Sequence, residues 1–131
     1  MMTRFCTLVA ASLLMPSLAW ADPSWECSVD SSSQVETAEC LIGVESDVNA
    51  VLEMALKTAR EVAKQLDEVT ERDTTVPALE RAQNAWEAHR DAECDYVGAR
   101  YAGGSGTGIA IRSCRITMTR ARIVALQNSF R

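Results

Sequence analysis

Gln83 to Cys94 reads QNAWEAHRDAEC, and the spacing of its residues decides the fold. At about 100° per residue, a helix through this stretch puts Leu79, Ala82, Trp86, Val97 and Tyr101 on one apolar stripe, with Cys94 at its margin. Gln83 and Arg90 fall on the same stripe. A buried amide or guanidinium without a partner costs roughly several kcal/mol, so each is expected to pair with another element. This helix is therefore the hub of the domain.

Two further helices are read outward from it. Ser33-Gln34-Val35-Glu36 offers a capping box, in which a hydroxyl and a carboxylate satisfy the first free amides of a helix. Leu41, Val44, Val48, Val51, Leu52, Ala55, Ala59, Val62, Ala63 and Leu66 then follow three-and-four spacing, with Glu45, Glu53, Glu61 and Glu68 expected to face away. The turn formers of Thr70 to Thr75 end this helix, and Pro77 suits the first turn of the hub helix, expected over Val76 to Val97. Gly98 and the run GGSGTG, Gly103 to Gly108, are expected to break it. The last helix, from Ile109 to about Ser129, carries two apolar arcs. Ile111, Cys114, Met118, Ala121 and Ala125 form one, and Ile116, Ile123, Leu126 and Phe130 the other. Together they span roughly 220°, which predicts a mostly buried helix in the groove between the other two. Thr119 and Arg122 would then point inward, towards Asp91 or Asp47. No stretch shows the alternation of a strand, so the fold class is all-α, a small three-helix domain.

The first 21 residues carry one positive charge at Arg4, an apolar run from Phe5 to Met15, and Ala19-Trp20-Ala21 as a small-x-small cleavage site. This pattern predicts a signal peptide cleaved after Ala21, leaving residues 22–131 as one exported domain in the periplasm or outside the cell. Cys6 leaves with the signal. Cys27, Cys40, Cys94 and Cys114 remain, an even count that argues for two disulfides. Three connectivities are open; pairing neighbours, Cys27 with Cys40 and Cys94 with Cys114, closes two short loops. A four-cysteine zinc site lacks the usual C-x-x-C spacing. Asp22 to Ser32 is expected to be an irregular polar lead held by Cys27.

Charge is distributed unevenly. Residues 22–75 hold thirteen acids against four bases, a net −9, and residues 76–131 hold five acids against eight arginines, a net +3. One half can simply pair with the other, or the acidic half can attract a basic protein partner. Nucleic acid is disfavoured by either arrangement. The Gly103 to Gly108 run lacks the preceding strand and the Gly-Lys-Ser/Thr ending that phosphate binding requires. His89 and Glu93 share a helix face but offer two metal ligands without a third. With a single histidine and carboxylates spread along a solvent face, no catalytic group assembles. The expectation is no enzyme, no cofactor and no metal.

Gln83, Trp86, Arg90, Asp91 and Cys94 together reproduce a Q-x-x-W-x-x-x-R-D-x-x-C pattern that resembles the LprI family, small exported bacterial proteins named after a lysozyme inhibitor. Cys40, Asp47 before Val48-Asn49, Gly103-Gly104-Ser105, Cys114 and Thr119-x-x-Arg122-x-x-x-Leu126 extend the resemblance over nearly the whole exported chain. Leu52 departs from it, standing where a Tyr would be expected. The resemblance implies a binding protein that inhibits lysozyme-type peptidoglycan hydrolases. The alternative is a structural or stress-related envelope protein, or an immunity-type partner of another secreted effector. Gln83, Trp86, Arg90, Asp91, Asp47, Thr119 and Arg122 are read as a structural polar network. Gly103, Gly104, Ser105 and Thr107, as a flexible loop, and Glu45, Glu53 and Glu61, on the acidic face, are the candidates for touching a protein partner.

Overall fold

The computed structural model describes residues 22–129, which form four helices and no strand: α1 (Pro23–Ser28), α2 (Gln34–Thr70), α3 (Thr75–Ala99) and α4 (Thr107–Asn128). The expected signal peptide lies outside the described residues. The three long helices stand where the apolar spacing puts them. A short one is added, because the polar lead is not irregular. Asp22 caps α1 by accepting from the Ser24 amide, and Pro23 occupies the first turn, where its missing N–H is no loss.

At the start of α2 the Ser33 hydroxyl accepts from the Glu36 amide, as a capping box requires. The reciprocal half is shifted outward by one residue. Glu36 accepts from the amide and hydroxyl of Ser32 instead of the Ser33 amide. Asp67, near the other end of α2, is a buried carboxylate only 8% exposed. Its two oxygens accept from the amides of Thr74, Thr75 and Val76, the first free donors of α3. Thr74 makes no side-chain cap of its own, so α3 is started by a residue of the preceding helix. Those amides, Val76 foremost, hold the Asp67 carboxyl down to about 2 against the opposing effect of burial.

α4 packs most extensively on α2 and next on α3, while α2 and α3 touch each other least. It therefore fills the groove between them. One core cluster joins Leu52, Ala55, Leu56 and Ala59 of α2 to Ile123 and Leu126 of α4, with Leu79 and Trp86 of α3 against it. A second joins Cys27 of α1, Leu41 of α2 and Ile116 of α4. Ala82, Ala121 and Ala125 are exposed, so the buried arcs of α3 and α4 are narrower than their apolar spacing suggests. Val51, Val62 and Leu66 of α2 are also exposed rather than buried.

Gly98 does not break the hub helix. It is buried inside α3, and a Cβ there would stand 2.6 Å from the Ile111 side chain of α4, so the absence of a side chain lets the two helices close. Thr107 and Gly108 are likewise helical, the first residues of α4. Cys27 pairs with Cys40 and Cys94 with Cys114, with Cα atoms 5.7 and 5.5 Å apart. Each should stabilise by about 3 kcal/mol through loop closure.

Candidate functional site

Where α3 crosses α4, polar groups line the seam around one indole. Gln83 is 2% exposed. Its Oε1 accepts from Arg122 Nε at 3.0 Å, and its Nε2 donates to Glu87 Oε1 at 3.0 Å. Arg90 and Arg122 both approach the Trp86 ring, at 5.0 and 5.8 Å from its centroid. Burial lowers the pKa of Arg122 by desolvating its guanidinium. Its expected acidic partner is not used. Asp47 is exposed on α2, and Asp91 accepts from the adjacent Arg90 at 3.1 Å. The reason is position: Gln83 lies on the buried line of α3 facing Arg122, whereas the Asp91 side chain is 51% exposed. Thr119 is buried on the same side of α4.

A cleft opens at the end of the molecule that carries both disulfides. About 490 Å³ in volume, it lies between the start of α1, the last turns of α3 and the first turns of α4. Val97, Ile109, Ala110 and Met118 give it an apolar floor, and Asp22, Gln34, Glu93 and Tyr101 give it polar and aromatic walls. Two carboxylates line it and no base does. Asp22 accepts on Oδ1 from the Ser24 hydroxyl at 2.6 Å and from the Ser113 hydroxyl at 2.7 Å, which lowers its pKa and keeps it ionised. Arg120 grips Glu26 through two parallel hydrogen bonds of 3.0 and 2.9 Å, fixing α1 against α4.

The glycine-rich connection forms one edge of this cleft, and it is wound rather than loose. Tyr101 N–H donates to Gly98 O, Ala102 to Ala99 O, Gly104 to Tyr101 O and Thr107 to Gly104 O, all within 3.1 Å. Gly103, at φ 77°, takes the left-handed backbone that this reversal needs. Ser105 is exposed at the tip, and the Tyr101 ring lies near Gly106. Thr107 is not a tip: it begins α4, and its hydroxyl is buried without a partner among the described residues.

The acidic candidates separate in the same way. Glu45 is drawn in, with Arg112 donating to it at 2.5 Å, because residue 45 sits at the edge of the α2–α4 contact. Glu53 and Glu61 remain exposed. The cleft itself went unseen in the sequence: its acids, Asp22 and Glu93, are far apart in the chain, and Asp22 belonged to a segment expected to be irregular. Asp67 was missed too, although its place four residues after buried Ala63 marks it as inward-facing.

Among the described residues no group of three or more His, Cys, Asp or Glu could hold a metal ion, and no helix is long and apolar enough to cross a membrane. No curated protein and no solved structure matches this chain. The family comparison is positive. The model of the family described as lysozyme inhibitor LprI matches residues 25–126, from α1 through the α3–α4 seam and the glycine turn to the buried Leu126, and the chain belongs to that family.

Proposed function

We propose that residues 22–131 act after export as a single non-catalytic domain that binds a basic lysozyme-type hydrolase and blocks it. Membership in the lysozyme inhibitor family is the observation that carries this reading. The chemistry of the cleft supports it. A cavity with two carboxylates, an aromatic wall and no base suits a lysine or arginine side chain, whose apolar stem packs while its charge is paired. The turn from Tyr101 to Gly106 stands at the mouth, already fixed by its own hydrogen bonds, so little ordering opposes docking. The net −9 of residues 22–75 adds attraction at a distance. In this reading the Trp86 seam is structural, holding α3 and α4 in the register that shapes the cleft.

Lysis of bacterial cell walls by a c-type lysozyme, with increasing amounts of the exported form at physiological salt, tests the proposal. Inhibition near stoichiometric amounts is expected. Charge attraction alone would fade, because screening acts over about 8 Å under those conditions. Unchanged lysis at large molar excess, with c-type and other lysozymes alike, would overturn it and leave the envelope or immunity-type reading.

A further inference from the structure

Along α2, on the flank beside its buried face, runs a second apolar line that nothing among the described residues covers. Val51 is 40% exposed, Met54 62%, Val62 39%, Leu66 48% and Val69 83%. With exposed Thr58 between them, these residues lie within about 60° of one line at the helical repeat. A helix facing only water gains nothing from such a line. Solitary exposed apolar residues are ordinary, but five along one flank mark a contact surface.

The order of the residues says what the partner is. Successive steps along the line are three, four, four, four and three residues, a pattern that reads the same from either end. Turned end for end, a second copy of the helix therefore sets Val51 against Val69, Met54 against Leu66 and Thr58 against Val62, each pair occurring twice about a two-fold axis. This is the self-complementarity that a symmetric dimer requires. The surface relief fits as well. Shallow hollows of about 450 Å³, beside Met54, Lys57, Thr58 and Glu61, and about 330 Å³, beside Val51, Met54, Ala55, Thr58 and Gln127, flank Met54 on either side. They are placed to receive Leu66 and Val69 as knobs. Lys57 makes no ion pair among the described residues, and the same two-fold brings it within two residues of Glu61 of the second copy.

We propose that α2 is the dimer interface of this protein, formed by antiparallel packing of the Val51 to Val69 line on its symmetry copy. The contact runs for about 27 Å along each helix. A contact made by a single helix from each copy is small, so the dimer is expected to be reversible. The interface leaves the cleft at the disulfide-bound end of each copy open.

Sedimentation equilibrium of the exported form, from about 5 to 500 µM, tests the proposal directly. Dimer mass is expected at the upper concentrations, and Leu66→Glu should return the protein to monomer while its circular dichroism stays unchanged. Lys57→Glu should weaken association by about fivefold, and the double variant Lys57→Glu/Glu61→Lys should restore it. A monomer at 500 µM overturns the proposal, as does a dimer insensitive to Leu66→Glu or a double variant no better than Lys57→Glu alone. None of these outcomes depends on whether a lysozyme is inhibited.

Discussion

The two ends of the helical bundle are held by different means. At one end, two cystines, the Arg120–Glu26 pair and the wound glycine turn fix α1, the start of α2, the end of α3 and the start of α4 around the cleft. At the other, the α2–α3 junction depends on a single carboxylate, Asp67, capping three amides. Covalent links at the first end stabilise by restricting the unfolded chain and are indifferent to pH. The second end depends on an ionised group and has a pH limit. The rigid end is also the one that carries the cleft, which is where pre-organisation benefits a binding surface.

The largest effects should come from the shared core. Leu56→Ala removes a side chain 1% exposed and should cost about 3–5 kcal/mol, measured by urea unfolding. Opening the Cys94–Cys114 link by a double Cys→Ala substitution should cost about 3 kcal/mol and loosen the turn, seen as faster amide exchange at Tyr101 to Gly106 while the Asp67 junction keeps its protection. Retained protection at the turn would show that its hydrogen bonds suffice without the cystine.

At the opposite end, Asp67 supplies the acid sensitivity. Its carboxyl is held to about 2, below the ordinary value of 3.8, so the stability it contributes is complete above pH 4 and is lost as pH falls from there towards 2. Asp67→Asn should lower the melting temperature at pH 7 and flatten its decline over that window. An unchanged acid slope would assign the sensitivity elsewhere, with Asp22 and Glu36, whose hydroxyl and amide donors also lower their pKa values, next to examine.

The smallest of these effects belongs to the seam. Arg90→Ala should cost only about 1 kcal/mol, because Arg90 stacks on Trp86 and pairs with a half-exposed Asp91, so no buried carboxylate is stranded by its loss. Trp86→Ala, which also removes core packing, should cost about 2–3 kcal/mol. A loss near 4 kcal/mol at Arg90 would mean that the seam holds a buried ionic partner after all.

These contrasts also show what the sequence could and could not reveal. The three long helices were legible because Leu41, Leu52 and Ala59, Leu79 and Trp86, and Ile116 and Ile123 repeat at helical spacing, and the cystines because neighbouring cysteines close short loops. Partners were harder to read. Arg122 was expected to seek an acid and found the amide of Gln83, since the choice depends on which residue of α3 lies opposite it once the helices pack. Spacing likewise placed Val62 and Leu66 on the core side, whereas the buried line of α2 runs through Ala59, Ala63 and Asp67 and leaves both on its flank, a choice of face that apolar spacing alone does not make. The Gly103 run looked like a flexible loop by composition, whereas its hydrogen bonds wind it into successive turns.

The claim that function sits at the cystine end is tested most directly by two variants in the lysis assay at physiological salt. Tyr101→Ala combined with Ser105→Trp alters the mouth of the cleft, and Glu53→Lys alters the exposed acidic face of α2 away from it. Both should keep the parent's helical content. The first should raise the concentration needed for half inhibition at least tenfold, and the second should leave it within about twofold. Full inhibition by the cleft variant together with loss of inhibition by Glu53→Lys would contradict the account and move the lysozyme contact to α2.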